Sequence, residues 1–192
     1  MNKKLEKGFS LVELLVVVAI IGVLAGVGIV GYQSYTESAK EKVAEANYNS
    51  VVRFIETELT LLNNGVQENS GALKDHGTTA GTCNGTAALP RAGTTQAKLA
   101  NSIACHFKDL KFKNPFDNND QVKAATPVGA SPAPKKGEIY VFDGTGATTS
   151  TNNRPINIIY FTAAGAIGAW DSSTNQYGGT NTKQKVDLGL AN

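Results

Sequence analysis

Lys3-Lys4-Leu5-Glu6-Lys7-Gly8-Phe9-Ser10-Leu11-Val12-Glu13-Leu14-Leu15 leads into an apolar run that continues to Val30. Three lysines precede Gly8, and Glu13 is the single charge between Phe9 and Val30. About 20 apolar residues at 1.5 Å rise cover the roughly 30 Å hydrocarbon core of a bilayer. Residues 9–30 are therefore long enough to cross a membrane as a helix. The basic residues before them suit the cytoplasmic side under the positive-inside rule.

Glu13 is the anomaly of the run. A carboxylate inside such a segment costs on the order of a few kcal/mol and marks function. A cut between Gly8 and Phe9 would create a positive α-amino group four residues from it. A carboxylate and an ammonium about 4 Å apart attract by roughly 4 kcal/mol at an effective dielectric of 20. The amine can belong to the same chain or to a neighbour, and spacing alone does not choose.

The Lys-rich leader, Gly8, Phe9 and Ser-Leu-Val-Glu-Leu-Leu-Val-Val-Val-Ala-Ile-Ile-Gly-Val-Leu-Ala resemble the N-terminus of a type IV pilin precursor. The resemblance covers residues 1–35. It implies that prepilin peptidase cuts after Gly8 and N-methylates Phe9, and that Glu13 pairs with the Phe9 amine of an adjacent subunit. It implies an α+β fold, with a long N-terminal helix packed on an antiparallel sheet head of three to four strands. The partners it implies are identical subunits in a helical filament, the peptidase, inner-membrane assembly machinery and the membrane itself through Phe9–Val30. The chain would span the inner membrane once before assembly and lie in an extracellular pilus afterwards, serving adhesion, twitching motility or DNA uptake. The alternative within this family is a pseudopilin of a type II secretion or competence system.

One departure from the family stands out. Many members carry a Pro in the lower helix, near the place of Val30, whereas this chain has Gly22, Gly26, Gly28 and Gly31. Each costs a helix interior about 1 kcal/mol relative to Ala. Gly22 and Gly26 also have the small-xxx-small spacing of close helix packing. The segment is expected to loosen or to pack there. Two other readings compete. A secretory signal has a shorter, uncharged apolar region and an A-x-A-like cut, and this run fits neither feature. A plain membrane anchor for a binding domain would not polymerise.

The remaining composition supports an exported domain. The formal net charge is +2. Loss of Lys3, Lys4, Lys7 and Glu6 takes Lys+Arg from 18 to 15 and Asp+Glu from 16 to 15, so the mature side chains balance. That balance gives no case for nucleic-acid binding. Two cysteines, Cys83 and Cys105, suggest one disulfide in an exported protein. Closing a loop of about 20 residues would contribute about 3 kcal/mol in the chain-entropy model. Two free thiols are the alternative. A zinc site would have to recruit His76 and His106, without the usual ligand spacing. No metal or cofactor is expected.

The expected organisation is a cleaved leader at 1–8, an assembly helix at 9–31, an amphipathic continuation at 32–64 and a head at 65–192. Tyr48, Val52, Ile55, Leu59 and Leu62 recur at spacings of four and three, which places them on one helix face. Asn63-Asn64-Gly65 supplies a stop. Residues 65–95 read as a long loop tied by Cys83. Leu99, Ile103, Phe107 and Leu110 predict a second helix over 95–112, capped by Thr94 or Thr95 and ended at Asn114-Pro115. Lys108, Lys111 and Lys113 suit its C-terminal dipole. With Phe107 and Phe112 interleaved, they also form a candidate basic-aromatic nucleic-acid patch. Residues 116–136 read as a loop. Within it, Asp117-Asn118-Asn119-Asp120 resembles part of a calcium loop but lacks its Gly and distant Glu. Strands are expected at 138–143, 156–162 and 166–170, forming an antiparallel meander, with 186–190 as a possible edge. No HExxH, GxSxG or P-loop is present, so a structural protein is expected rather than an enzyme.

Overall fold

The structure, a computed structural model, describes residues 8–64, 72–90, 94–125, 133–142, 156–165, 170–171, 176–178 and 181–188. Its elements are α1 (Leu11–Asn63), α2 (Gln96–Asp109), β1 (Val122–Ala125), β2 (Ile139–Phe142), β3 (Ile156–Phe161), β4 (Trp170–Asp171), β5 (Gln176–Tyr177) and β6 (Thr182–Leu188). The chain divides into two compact units, Met1–Lys40 and Glu41–Asn192. The first holds α1 as far as Lys40 and what precedes it.

In the second unit, α1 buries Ala44, Tyr48, Val51, Ile55, Leu59 and Leu62. This is the 3.6-residue stripe expected from sequence, except that Val51 is fully buried and Val52 sits at the margin. The α2 stripe of Leu99, Ile103 and Phe107 packs into the same core. Thr95 caps α2, its hydroxyl accepting the Lys98 N–H at 3.3 Å.

The end of α2 differs from expectation. The Phe112 N–H reaches the Phe107 carbonyl at 3.0 Å, the Lys111 N–H reaches that of Lys108 at 2.9 Å, and Lys111 has φ 55°. This is a Schellman motif, closed by the contact of the Phe107 and Phe112 rings at 5.1 Å. The helix therefore ends at Asp109, before the apolar period reaches Leu110, which is exposed.

The main sheet runs β1-β2-β3-β6. β2–β3 and β3–β6 are antiparallel, but β1 pairs parallel with β2, Val122 opposite Ile139. The sheet is thus mixed rather than an antiparallel meander, and β1 lies where a loop was expected. Thirteen residues separate β1 from β2, about the dozen that a parallel connection requires. Beside β3, opposite β2, the sheet is completed by β6. Residues 166–169 lie outside the described residues, and Trp170–Asp171 pairs instead with Gln176–Tyr177 in a separate two-stranded sheet. The central strands are buried on both faces. Ile139, Val141, Ile156, Ile158 and Tyr160 join the helical core, while Tyr140, Phe142, Ile159 and Phe161 form a second cluster.

Candidate functional site: the apolar start of the long helix

Ser10 is the last residue before α1, and its carbonyl accepts the first helical N–H, from Leu14. Its hydroxyl accepts the Glu13 N–H at 3.2 Å, and Glu13 Oε2 accepts the Ser10 N–H at 2.8 Å. This reciprocal pair is a capping box. It satisfies two amide donors that would otherwise have no partner, and it sets a negative group at the positive end of the helix. Such a cap contributes about 1 kcal/mol, which offsets part of the cost of an acid in apolar surroundings. Sequence reasoning considered only an amine as a partner for Glu13. The Ser10-x-x-Glu13 spacing was the signal for the second role.

Beyond this cap, α1 continues as an apolar segment whose large side chains are exposed among the described residues. From Phe9 to Val30, fifteen large apolar side chains are 48–88% exposed. Full burial of each stabilises by about 1.5–3 kcal/mol, so at this exposure the segment forgoes on the order of 20 kcal/mol in water. That exceeds the roughly 5–15 kcal/mol stability of a typical domain. The segment requires lipid or other apolar helices around it. Its length and hydropathy suffice to cross a membrane. A Cβ placed on Gly22, Gly26, Gly28 or Gly31 would meet nothing within 4 Å, so no contact within the described residues demands glycine there.

The other sequence candidates belong to the second unit. Cys83 and Cys105 are joined by a disulfide that ties the loop after α1 to α2. Asn101, fully buried one turn before Cys105, orders the same loop. Its Nδ2 donates to the carbonyls of His76, Gly77 and Thr82 at 3.2, 3.2 and 3.1 Å, and its Oδ1 accepts the Gly81 N–H at 3.0 Å. Sequence reasoning missed Asn101, since a polar residue between stripe positions has no pattern to announce it.

The two histidines serve different contacts. His76 Nδ1 accepts the Gly85 N–H at 2.8 Å. The His106 ring stacks on Phe54 with centroids 4.4 Å apart, and burial pushes its imidazole below the usual range. Among the described residues no group of three or more His, Cys, Asp or Glu could hold a metal. Asp117 takes Asn119 and Lys135 as partners, and Asp120 pairs with Lys113. Around the end of α2, Lys108 and Lys111 are exposed, but Phe107 and Phe112 pack inward, Phe107 against Phe54. The basic and aromatic members of the candidate nucleic-acid patch are therefore separated.

A family model, the prokaryotic N-terminal methylation motif, matches residues 3–29. The chain is 52% identical over 42 residues to a type IV major pilin protein PilE1 of Neisseria gonorrhoeae, covering 22% of this chain and 24% of that one. It is equally similar to a fimbrial protein of Neisseria meningitidis serogroup B, and 54% identical over 43 residues to a fimbrial protein of Pseudomonas aeruginosa, covering 22% of this chain and 27% of that one. These matches span about a quarter of the length of the relatives. No solved structure matches the chain. Cap, apolar helix and similarity coincide on the same residues: over this N-terminal region the chain matches the prokaryotic N-terminal methylation motif and is similar to type IV pilins.

Proposed function

We propose that the chain is the precursor of a structural, non-enzymatic subunit of a type IV pilus. Prepilin peptidase cuts between Gly8 and Phe9 and methylates the Phe9 amine. The product waits in the inner membrane as a single-pass protein, and the assembly machinery transfers it into an extracellular filament of identical subunits. There the apolar half of α1 exchanges lipid for neighbouring helices, and Glu13 meets the Phe9 amine of an adjacent subunit. The head, residues 65–192 with the second half of α1, forms the outer shell. Adhesion, twitching motility and DNA uptake are all open to such a filament.

The observation that carries this reading is the uncovered apolar segment with one acid near its start. Lipid can accept the apolar side chains, and the Glu13 carboxylate that caps the helix can in addition meet an amine. Gly22 to Gly31 gives the segment room to pack closely or unwind in the filament, since four glycines lower its helical stability by about 4 kcal/mol relative to Ala. Mass spectrometry of surface-sheared material tests the proposal. The expected N-terminal peptide starts at Phe9 and carries one added methyl group. A peptide starting at Met1, or after a cut inside the apolar run, would refute it.

A further inference from the structure

Two exposed aromatic residues follow the apolar segment. Tyr32 and Tyr35 are 70% and 73% exposed, and neither hydroxyl bonds to another described residue. The other tyrosines with described side chains, Tyr48, Tyr140 and Tyr160, are buried. Three residues apart, Tyr32 and Tyr35 share one side of α1. They stand where the chain changes character: residues 14–31 are uncharged, Gln33, Ser34 and Thr36 are polar, and charge resumes at Glu37 and Lys40.

We infer that Tyr32 and Tyr35 form a site for the phospholipid headgroup layer on the side of the bilayer opposite the Lys-rich leader, and that this site sets the depth of the segment. A tyrosine ring has an apolar body and a polar tip, and tyrosines collect where hydrocarbon meets headgroups. The distance along α1 fits this placement. From Glu13 to Tyr32 the helix rises about 28 Å, close to the roughly 30 Å hydrocarbon thickness. With Tyr32 at one boundary, Glu13 reaches the other. The carboxylate then sits beside headgroups rather than mid-bilayer, where a charge is most costly. The uncharged residues 14–30 alone rise only about 26 Å and would leave the depth loosely set. With the anchor, the acid, its Ser10 cap and the Gly8–Phe9 bond come to one interface.

The inference rests on the membrane-inserted precursor of the proposed function but not on polymerisation. The test therefore uses full-length chain in phosphatidylcholine–phosphatidylglycerol vesicles, without filaments. One tryptophan is placed by Tyr32→Trp or Ile21→Trp, each in a Trp170→Phe background. Its fluorescence is quenched with lipids brominated near the headgroup or near the bilayer centre. Quenching at position 32 is expected to be about twofold stronger with the shallow bromines, and at position 21 with the deep ones. Position 32 quenched by neither, or best by the deep bromines, would overturn the inference. A second measurement keeps Trp170. Hydrogen exchange of amides 30–36 is expected to rise about fivefold or more in Tyr32→Ala/Tyr35→Ala, and unchanged exchange would overturn the depth-setting role. Absence of this chain from surface filaments, with both results as expected, would instead count against the pilus assignment.

Discussion

Removing the Asn101 side chain tests how the loop after α1 is held. Asn101→Ala deletes four hydrogen bonds, to the carbonyls of His76, Gly77 and Thr82 and from the N–H of Gly81. A typical intramolecular hydrogen bond contributes about 0.5–1.5 kcal/mol net, and a buried group left without a partner costs about 1–3 kcal/mol. Gly81 and Thr82 are exposed, so water can replace their lost partner, whereas His76 is buried and Gly77 half-buried. The expected loss is about 3 kcal/mol, roughly a hundredfold in the folding equilibrium. Urea denaturation of the full chain in detergent, with the disulfide intact, measures it. Amide exchange at Gly81, Gly85 and Asp75 separates local opening from global unfolding. Asn101→Asp adds a sharper test. It keeps the acceptor for Gly81 but turns a carboxylate toward three carbonyls, so at neutral pH it should destabilise more than Ala. That repulsion raises the aspartate's folded pKa above the unfolded value, so the penalty should shrink as pH falls. An unchanged urea midpoint in Asn101→Ala, with wild-type exchange in the loop, would refute the reasoning.

Other expectations follow from the head. Lys111→Gly should stabilise the chain by about 1 kcal/mol, since only the left-handed conformation at this C-cap disfavours a side chain; a rise of a few degrees in Tm would show it. Lys123→Ala should destabilise by about 2 kcal/mol by urea denaturation, because Glu138, 1% exposed, loses its ion pair and, among the described residues, is left with the Lys135 N–H and the Tyr140 hydroxyl. Burial holds His106 below its ordinary pKa, so the unfolded chain binds more protons there. This contribution to stability is complete above about pH 6.5 and declines as pH falls below it. His106→Phe should flatten that part of a stability–pH profile while keeping a ring against Phe54.

What could be read in the sequence was what depends on local pattern. The apolar run, the buried stripes of α1 and α2, the Thr95 cap and two of the central strands follow from residue type and period. The parallel strand β1 did not, because Val122–Ala125 is four residues long, sits among loop-like residues, and takes its identity from pairing with β2. Leu110 continued the helical period but fell outside the core, because backbone geometry at Lys111 ends α2 first. Asn101 gains its role from carbonyls 19 to 25 residues away, which no spacing rule reveals. At the candidate site, Glu13 was conspicuous as the one charge in an apolar helix. Its hold on Ser10 is equally legible, in the Ser10-x-x-Glu13 spacing of a capping box.

Glu13 is proposed to serve the joining of subunits, in addition to the capping bond it makes with Ser10. The most direct measurement is the amount of sheared surface filament from cells whose only copy carries Glu13→Ala, read beside the amount of processed subunit in the membrane fraction. The account predicts processed subunit near wild-type level and essentially no filament. Wild-type filament yield from that variant would contradict it.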